Sequence, residues 1–261
     1  MSSPIYNKVG EGYNTTRRAD PYIVSRMLAN LQAKPDGNYL DIGSGTANYT
    51  AAYTAQGFKF TGAEPSDRMI SEARTKHPHI DFVQTKAEQL PFADTSFDGA
   101  TGTFTLHHWD SMVNGLTEIN RVLKTGSKAV FLSFTPAQIF GYWLCHYFPE
   151  TMRNSAAVVP EQEDMIAIFK QAGFKEVTTE KYFVHEELQD HFLYSNKNRP
   201  EQYLRPEIRN GASSFTVYAN QEEVAAGLIQ LEQDIASGEV WDIIKQYEND
   251  LGDYIFYVAE K

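Results

Sequence analysis

Cysteine is almost missing from this chain: of 261 residues only Cys145 is one. A single thiol excludes an intramolecular disulfide and any zinc site built from several cysteines, and it suits a reducing cytoplasm. Long apolar runs are missing too. The densest, from Phe140 to Phe148, is far too short to span a bilayer. The first residues, Met1-Ser2-Ser3-Pro4-Ile5-Tyr6, carry no apolar signal core. The expectation is a soluble cytoplasmic protein with no membrane partner. Positive charge is in deficit, with 23 Lys and Arg against 34 Asp and Glu, a net charge of −11. That argues against nucleic acid as the main partner, since phosphate contacts need basic surface. Internal repeats and low-complexity segments are absent. What is plentiful is apolar side chain, 42% of the sequence, enough to build the core of one large α/β domain.

Strand-like and helix-like segments alternate along that domain. Asp20-Pro21 reads as an N-cap followed by proline in the first turn, and Ile23, Val24, Met27, Leu28 and Leu31 share one helical face. Strands are expected at Tyr39–Ile42, Phe58–Ala63, Ile80–Gln84, Phe97–Thr103, Ala129–Phe134 and Lys175–Val184. Helices are expected at Tyr49–Gln56 and Arg68–Lys76, on the face shared by Val113, Leu116, Ile119 and Leu123, and around Met165, Ile166 and Phe169. The chain closes on Tyr254-Ile255-Phe256-Tyr257-Val258, which reads as a buried last strand. Such alternation implies a Rossmann-like, largely parallel sheet with helices on both faces.

Three stretches stand outside the alternation. Residues 1–19 read as an N-terminal arm. Residues 135–160 and 185–252 interrupt the pattern, and insertions this long in an α/β domain are usually binding loops or lids. The alternative for both is peripheral helical packing or a dimer contact. In the second, Asn220-Gln221-Glu222-Glu223 resembles a capping box. His185-Glu186-Glu187 and His191 lack the four-residue spacing that puts two ligands on one helical face, so no metal site is expected there and these side chains read as solvated.

Chemistry concentrates at Asp41-Ile42-Gly43-Ser44-Gly45-Thr46-Ala47-Asn48, a glycine turn between a strand and a helix. That arrangement forms the crevice where open α/β sheets hold nucleoside-like ligands. Glu64 ends the next strand, about 20 residues on, where a carboxylate can accept the hydroxyls of a ribose. By itself it could equally be a solvated strand-end glutamate. A dinucleotide site would want a third glycine where Asn48 stands, to seat a pyrophosphate on the helix N-terminus. The Asp41 carboxylate suits an ammonium better than a pyrophosphate. A nicotinamide-dependent oxidoreductase is therefore the weaker reading.

Further on come Ala87-Glu88-Gln89-Leu90-Pro91-Phe92, Ser96-Phe97-Asp98, Leu106-His107-His108-Trp109 and Arg121-Val122-Leu123-Lys124-Thr125-Gly126. With these in order behind the glycine turn and Glu64, the chain resembles the class I S-adenosylmethionine-dependent methyltransferases. Within them it is similar to the small-molecule group related to ubiquinone- and menaquinone-type enzymes. The likeness is strong over residues 36–134 and looser elsewhere. It implies a seven-stranded, mostly parallel sheet with an antiparallel last strand, and S-adenosylmethionine as cofactor with S-adenosylhomocysteine as product.

The resemblance also implies roles. Asp41, Gly43, Ser44, Gly45 and Thr46 would line the methionine end of the cofactor, and Glu64 would hold its ribose. Pro65, Ser66 and Met69 would pack near the adenosine, Ala87 and Glu88 would border the adenine edge, and Thr103 and Phe104 would contact the methionine portion. Tyr13 and Arg17, on an arm folded over the cofactor, could meet its carboxylate, since arginine pairs bidentately with such a group. Leu106 to Trp109 would face the transferred methyl. Two departures stand out. Ala47 occupies a position where relatives often carry glycine, and Lys86 replaces an acid that often contacts adenine.

Methyl transfer from a sulfonium asks the protein mainly for orientation and dry surroundings. If the acceptor atom needs deprotonation, His108 is the first candidate base and His107 the second; a structural pair closing the fourth strand is the alternative. Trp109, Phe140 and Trp143 are candidate acceptor contacts, although aromatic clusters more often build core. The expected reaction is methylation of a small, apolar or aromatic acceptor of the kind made in secondary metabolism. The alternative from another class is a non-catalytic cofactor-binding scaffold, because fold alone does not fix function. Oligomeric state is not encoded in any motif found.

Overall fold

The computed structural model describes residues 17–261. Helix α1 (Pro21–Leu31) starts where expected. Asp20 accepts hydrogen bonds from the amides of Tyr22 and Ile23, and Pro21 needs no donor in the first turn. Its face of Ile23, Val24, Met27, Leu28 and Leu31 is fully buried, as the helical spacing requires. Then follow β1 (Asn38–Ile42), α2 (Asn48–Ala55), β2 (Lys59–Glu64), α3 (Asp67–Lys76), β3 (Asp81–Gln84), β4 (Phe97–Thr103), α4 (Met112–Val122) and β5 (Leu123–Ser133).

The sheet has seven strands in the order β3-β2-β1-β4-β5-β7-β6, with β6 spanning Glu176–Tyr182 and β7 Tyr254–Glu260. The pairs from β3 through β5 are parallel, and β7 runs antiparallel to both its neighbours. Side chains alternate across it with the two-residue period of a strand. On β5, Val130 and Leu132 join the apolar cluster that holds α1. Ala129 and Phe131 join the cluster on the other face, with α4 and α8 (Gln162–Gln171). Strand order reverses between β1 and β4, so their carboxyl ends open a crevice.

Two local expectations are corrected. Strand β5 begins at Leu123, directly after α4, because Ser96 and Thr95 amides bond back to Val122 and Arg121 and Phe97 pairs with Leu123. The Asn220 segment is half a capping box. Asn220 caps the amides of Glu222 and Glu223, but the Glu223 carboxylate turns to the amides of Glu150 and Thr151.

Residues 135–160 fold as α5 (Pro136–Phe140), α6 (Leu144–Tyr147) and α7 (Pro149–Ala156). Residues 185–252 add α9 (Pro206–Asn210), α10 (Ser213–Thr216), α11 (Gln221–Ser237) and α12 (Val240–Gln246). Both join the same apolar cluster as α1 through Trp143, Tyr147, Phe148, Met152, Phe215 and Leu231. Trp143 is wholly buried against Tyr147, Tyr194 and Tyr203, with its ring N–H on the Lys197 carbonyl. No helix among the described residues is long and apolar enough to cross a membrane. Because Trp143 ties both segments together, Trp143→Ala is expected to cost about 3–5 kcal/mol of stability. Urea denaturation checks this; a variant as stable as the parent contradicts it.

Candidate active site

The glycine turn lies at the carboxyl end of β1. Gly43 and Gly45 have φ of 66° and 56°, a left-handed conformation that glycine adopts without strain. At Gly43 a Cβ would stand 2.1 Å from Thr105 Oγ1, so the turn packs directly on the chain leaving β4. At Gly45 the nearest atom to such a Cβ is Met69 Sδ at 3.9 Å, which leaves room for a ligand against the backbone. Ala47 also has positive φ, 70°, and is fully buried. This is the position where glycine would relieve backbone strain that alanine bears.

Two buried carboxylates frame the turn. Asp41 accepts from Thr50 Oγ1 at 2.6 Å and Thr101 Oγ1 at 3.0 Å, from the neighbouring helix and strand. Burial pushes its pKa up to about 6, against the pull of those two hydroxyls. Glu64 accepts from the Gly45 amide at 3.0 Å and the Ser66 amide at 2.8 Å. Burial lifts its pKa to about 7, with the two amides opposing and the Asp41 charge adding. Glu64 is thus braced by the turn it was expected to serve.

A cleft above the turn is lined by Arg17, Asp41, Gly43, Ser44, Gly45, Thr46, Asn48, Tyr49, Thr103 and Asp190. Seven of these were anticipated; Asn48, Tyr49 and Asp190 were not. Asp190, only 1% exposed, comes from the 185–252 segment and receives Arg17 Nε at 2.5 Å, Arg17 Nη2 at 3.1 Å and the Tyr49 hydroxyl at 3.0 Å. Asn48 Nδ2 donates to the Arg17 carbonyl, and the Gln189 amide donates to Asp20. The start of the described chain and residues 189–190 are therefore fastened together over the cleft. Tyr13 lies outside the described residues.

A second space adjoins the first, sharing Arg17. Its walls are mainly Phe104, His107, Phe134, Ile139, Tyr142, Phe192, Leu193 and Tyr254, closed by Gly211 to Ser214, Ser155 and Tyr218. The division falls between consecutive residues at the end of β4: Thr103 faces the cleft and Phe104 the cavity. Phe104 has φ of 52°, and this left-handed turn re-aims the chain there. The Arg17 guanidinium sits 6.0 Å from the Phe104 ring centre.

His107 lines the cavity and stacks on His108 at 3.8 Å and against Phe134 at 5.1 Å. Burial, then the charges of His108 and Arg17, hold its pKa well below the ordinary histidine value. Burial and Arg17 bring His108 down to about 4. Both imidazoles are neutral at physiological pH. Of the two candidates, His107 lines the cavity and His108 is not among its lining residues.

Other expected contacts lie elsewhere. Phe104 walls the cavity, not the methionine end of the cleft. Trp109 points its ring N–H at Thr105 Oγ1 and packs on Gly115 and Phe131, away from the cavity. Phe140 is 52% exposed at the end of α5, and Trp143 is core. Helical geometry sorted that aromatic cluster, turning Ile139 and Tyr142 inward instead. Ala87 packs beside Gly115, and Glu88 accepts from the Ser111 amide. Pro65 and Ser66 follow Glu64 directly, Ser66 caps α3, and Met69 in that helix brings its sulfur to the open side of Gly45. Lys86 pairs with Asp110 at 2.6 Å on the surface. His191 is half-buried on Asn196 and His185 stands 3.6 Å from Asp20, so neither is simply solvated.

The donors fit S-adenosylmethionine. An open glycine backbone and a buried Ser44 hydroxyl without a partner among the described residues would suit its amino-acid end, and the Glu64 carboxylate would suit its ribose. Comparison with known proteins agrees. A family model described as "Methyltransferase domain" matches residues 40–131. A demethylmenaquinone methyltransferase of Staphylococcus carnosus is 31% identical over 182 residues, 60% of this chain and 76% of that protein. One of Chlorobaculum parvum is 29% identical over 165 residues, covering 56% and 68%. A crystal structure from Anabaena variabilis, described as a methyltransferase from an antibiotic biosynthesis pathway, superposes with a TM-score of 0.84 at 29% identity. It covers 94% of this chain and 99% of its own.

The raised Glu64 pKa has a measurable consequence. A carboxyl with a folded pKa of about 7 is charged above that pH and protonated below it. Its strength as acceptor for ribose hydroxyls is therefore lost on acidification. Affinity for S-adenosylhomocysteine is expected to fall about tenfold from pH 8 to pH 6 by proton linkage, with Asp41 adding at the acidic end. Calorimetry on Glu64→Gln should give weak binding with a flatter profile; an unchanged slope would exclude Glu64 as the titrating group.

Proposed function

As this chain belongs to the class I S-adenosylmethionine-dependent methyltransferases of the quinone methyltransferase type, we propose that it methylates a small, uncharged, apolar or aromatic molecule held in the Phe104–Tyr254 cavity. That it is a methyltransferase using S-adenosylmethionine follows from the family; the acceptor is our reading. One observation carries it. The cavity beside the cofactor cleft is walled by aromatic rings and contains no carboxylate among its described lining residues. An ammonium there would lose its hydration without a counter-charge, which is costly, whereas a phenol, an enol or an activated ring carbon would not.

In this reading Asp41, Gly43 to Thr46 and Thr103 hold the cofactor's methionine end and Glu64 its ribose. Pro65, Ser66 and Met69 border the adenosine. S-adenosylmethionine supplies an electrophilic methyl group on a sulfonium. Phe104, at the boundary, orients the acceptor toward that methyl while the aromatic walls exclude water. The segments 135–160 and 185–252 are the cap that builds these walls; of the arm 1–19, residues 1–16 lie outside the described residues and Arg17 lines the cleft. The acceptor's O–H or C–H bond becomes O–CH3 or C–CH3, and its proton leaves. His107 borders the acceptor space and burial favours its neutral form, so it can receive a hydrogen bond or that proton. The single cysteine supports a cytoplasmic setting.

Narrowing the cavity tests the reading. Ser214→Phe is expected to lower kcat/KM for phenolic or enolic acceptors by more than about tenfold, as an overfilled pocket should, while S-adenosylhomocysteine affinity stays within about twofold. Preferred turnover of primary amines, or no effect of the substitution, would contradict the assignment.

A further inference from the structure

Two carboxylates line the cleft. Asp41 is held by neutral hydroxyls, those of Thr50 and Thr101. Asp190 is held by Arg17 and by Tyr49. Asp190 and Arg17, paired with each other, both line the cleft together with Gly43 and Thr103. Together they are the charge complement of an α-amino acid: a guanidinium for the carboxylate, a carboxylate for the ammonium. If the ligand carboxylate drew Arg17 alone, Asp190 would be left nearly fully buried and without counter-charge, which is strongly unfavourable. A zwitterion inserted between them replaces one ion pair with two and leaves no charge alone.

We propose that Asp190, delivered by the 185–252 segment, binds the ammonium of the cofactor's amino-acid end, with Tyr49 holding the carboxylate in aim. This deepens the cofactor reading of the cleft and rests on it. Two and three residues on, Phe192 and Leu193 line the acceptor cavity. One short stretch of chain therefore contacts the cofactor's charged end and the acceptor wall, so cofactor binding sets the position of that wall.

The test compares S-adenosylhomocysteine with 5′-methylthioadenosine, which lacks the amino-acid group, by calorimetry on the full chain. Asp190→Asn is expected to weaken S-adenosylhomocysteine about tenfold or more, the loss of a charge-assisted contact, and to leave 5′-methylthioadenosine unchanged. Tyr49→Phe should show the same selectivity with a smaller loss, and serves if Asp190→Asn does not fold. Unchanged or tighter binding of S-adenosylhomocysteine would make Asp190 a mere competitor for Arg17 and overturn the proposal, as would equal weakening of both ligands. Wild-type protein that bound neither ligand would instead overturn the cofactor reading itself.

Discussion

The buried pairing of Arg17 with Asp190 is the contact on which the rest of this site depends. It joins the chain entering α1 to a segment some 170 positions later, with Tyr49 of α2 as third member. All three belong to one wall of the cofactor cleft. Exposed ion pairs of the same kind, such as Arg205 with Glu207, contribute little, because water and salt screen them. Arg17 and Asp190 are mostly or wholly shielded, so neither can lose its partner without a replacement charge. A ligand that supplies both signs is the natural replacement.

The chemistry divides at a single peptide. Thr103 lines the cleft after β1, and Phe104, with its left-handed backbone, lines the aromatic cavity. The sheet supplies the first space through features found in any open α/β fold: a tight turn after β1, an acid after β2, a crevice where strand order reverses. The helical segments supply the second. Their contribution is aromatic and uncharged, which suits an enzyme whose task is orientation in a dry space.

How much of this was legible in the sequence follows from how local each feature is. Asp41, Gly43 to Thr46 and Glu64 were readable because strand, turn and helix are contiguous, and the spacing to the second strand is set by one α/β unit. Thr103 was readable as the end of a strand. Asp190 was not, because nothing local distinguishes a carboxylate aimed at Arg17 from a solvated one. The aromatic run from Phe140 to Phe148 signalled burial but not which ring faced what. Within one short helix and the turn after it, Phe140 went to solvent, Ile139 and Tyr142 to the cavity and Trp143 to the core. The histidine pair was found, but only packing could show that His107 is the one at the cavity wall.

The central claim is that cofactor and acceptor occupy adjoining spaces divided at Thr103 and Phe104. It is tested most directly by a crystal structure with S-adenosylhomocysteine bound. The account requires the amino-acid end among Gly43, Thr103 and Asp190, the ribose on Glu64, and the sulfur facing the Phe104–His107 side. An adenosine seated in the aromatic cavity, or a sulfur turned to bulk solvent, would contradict it.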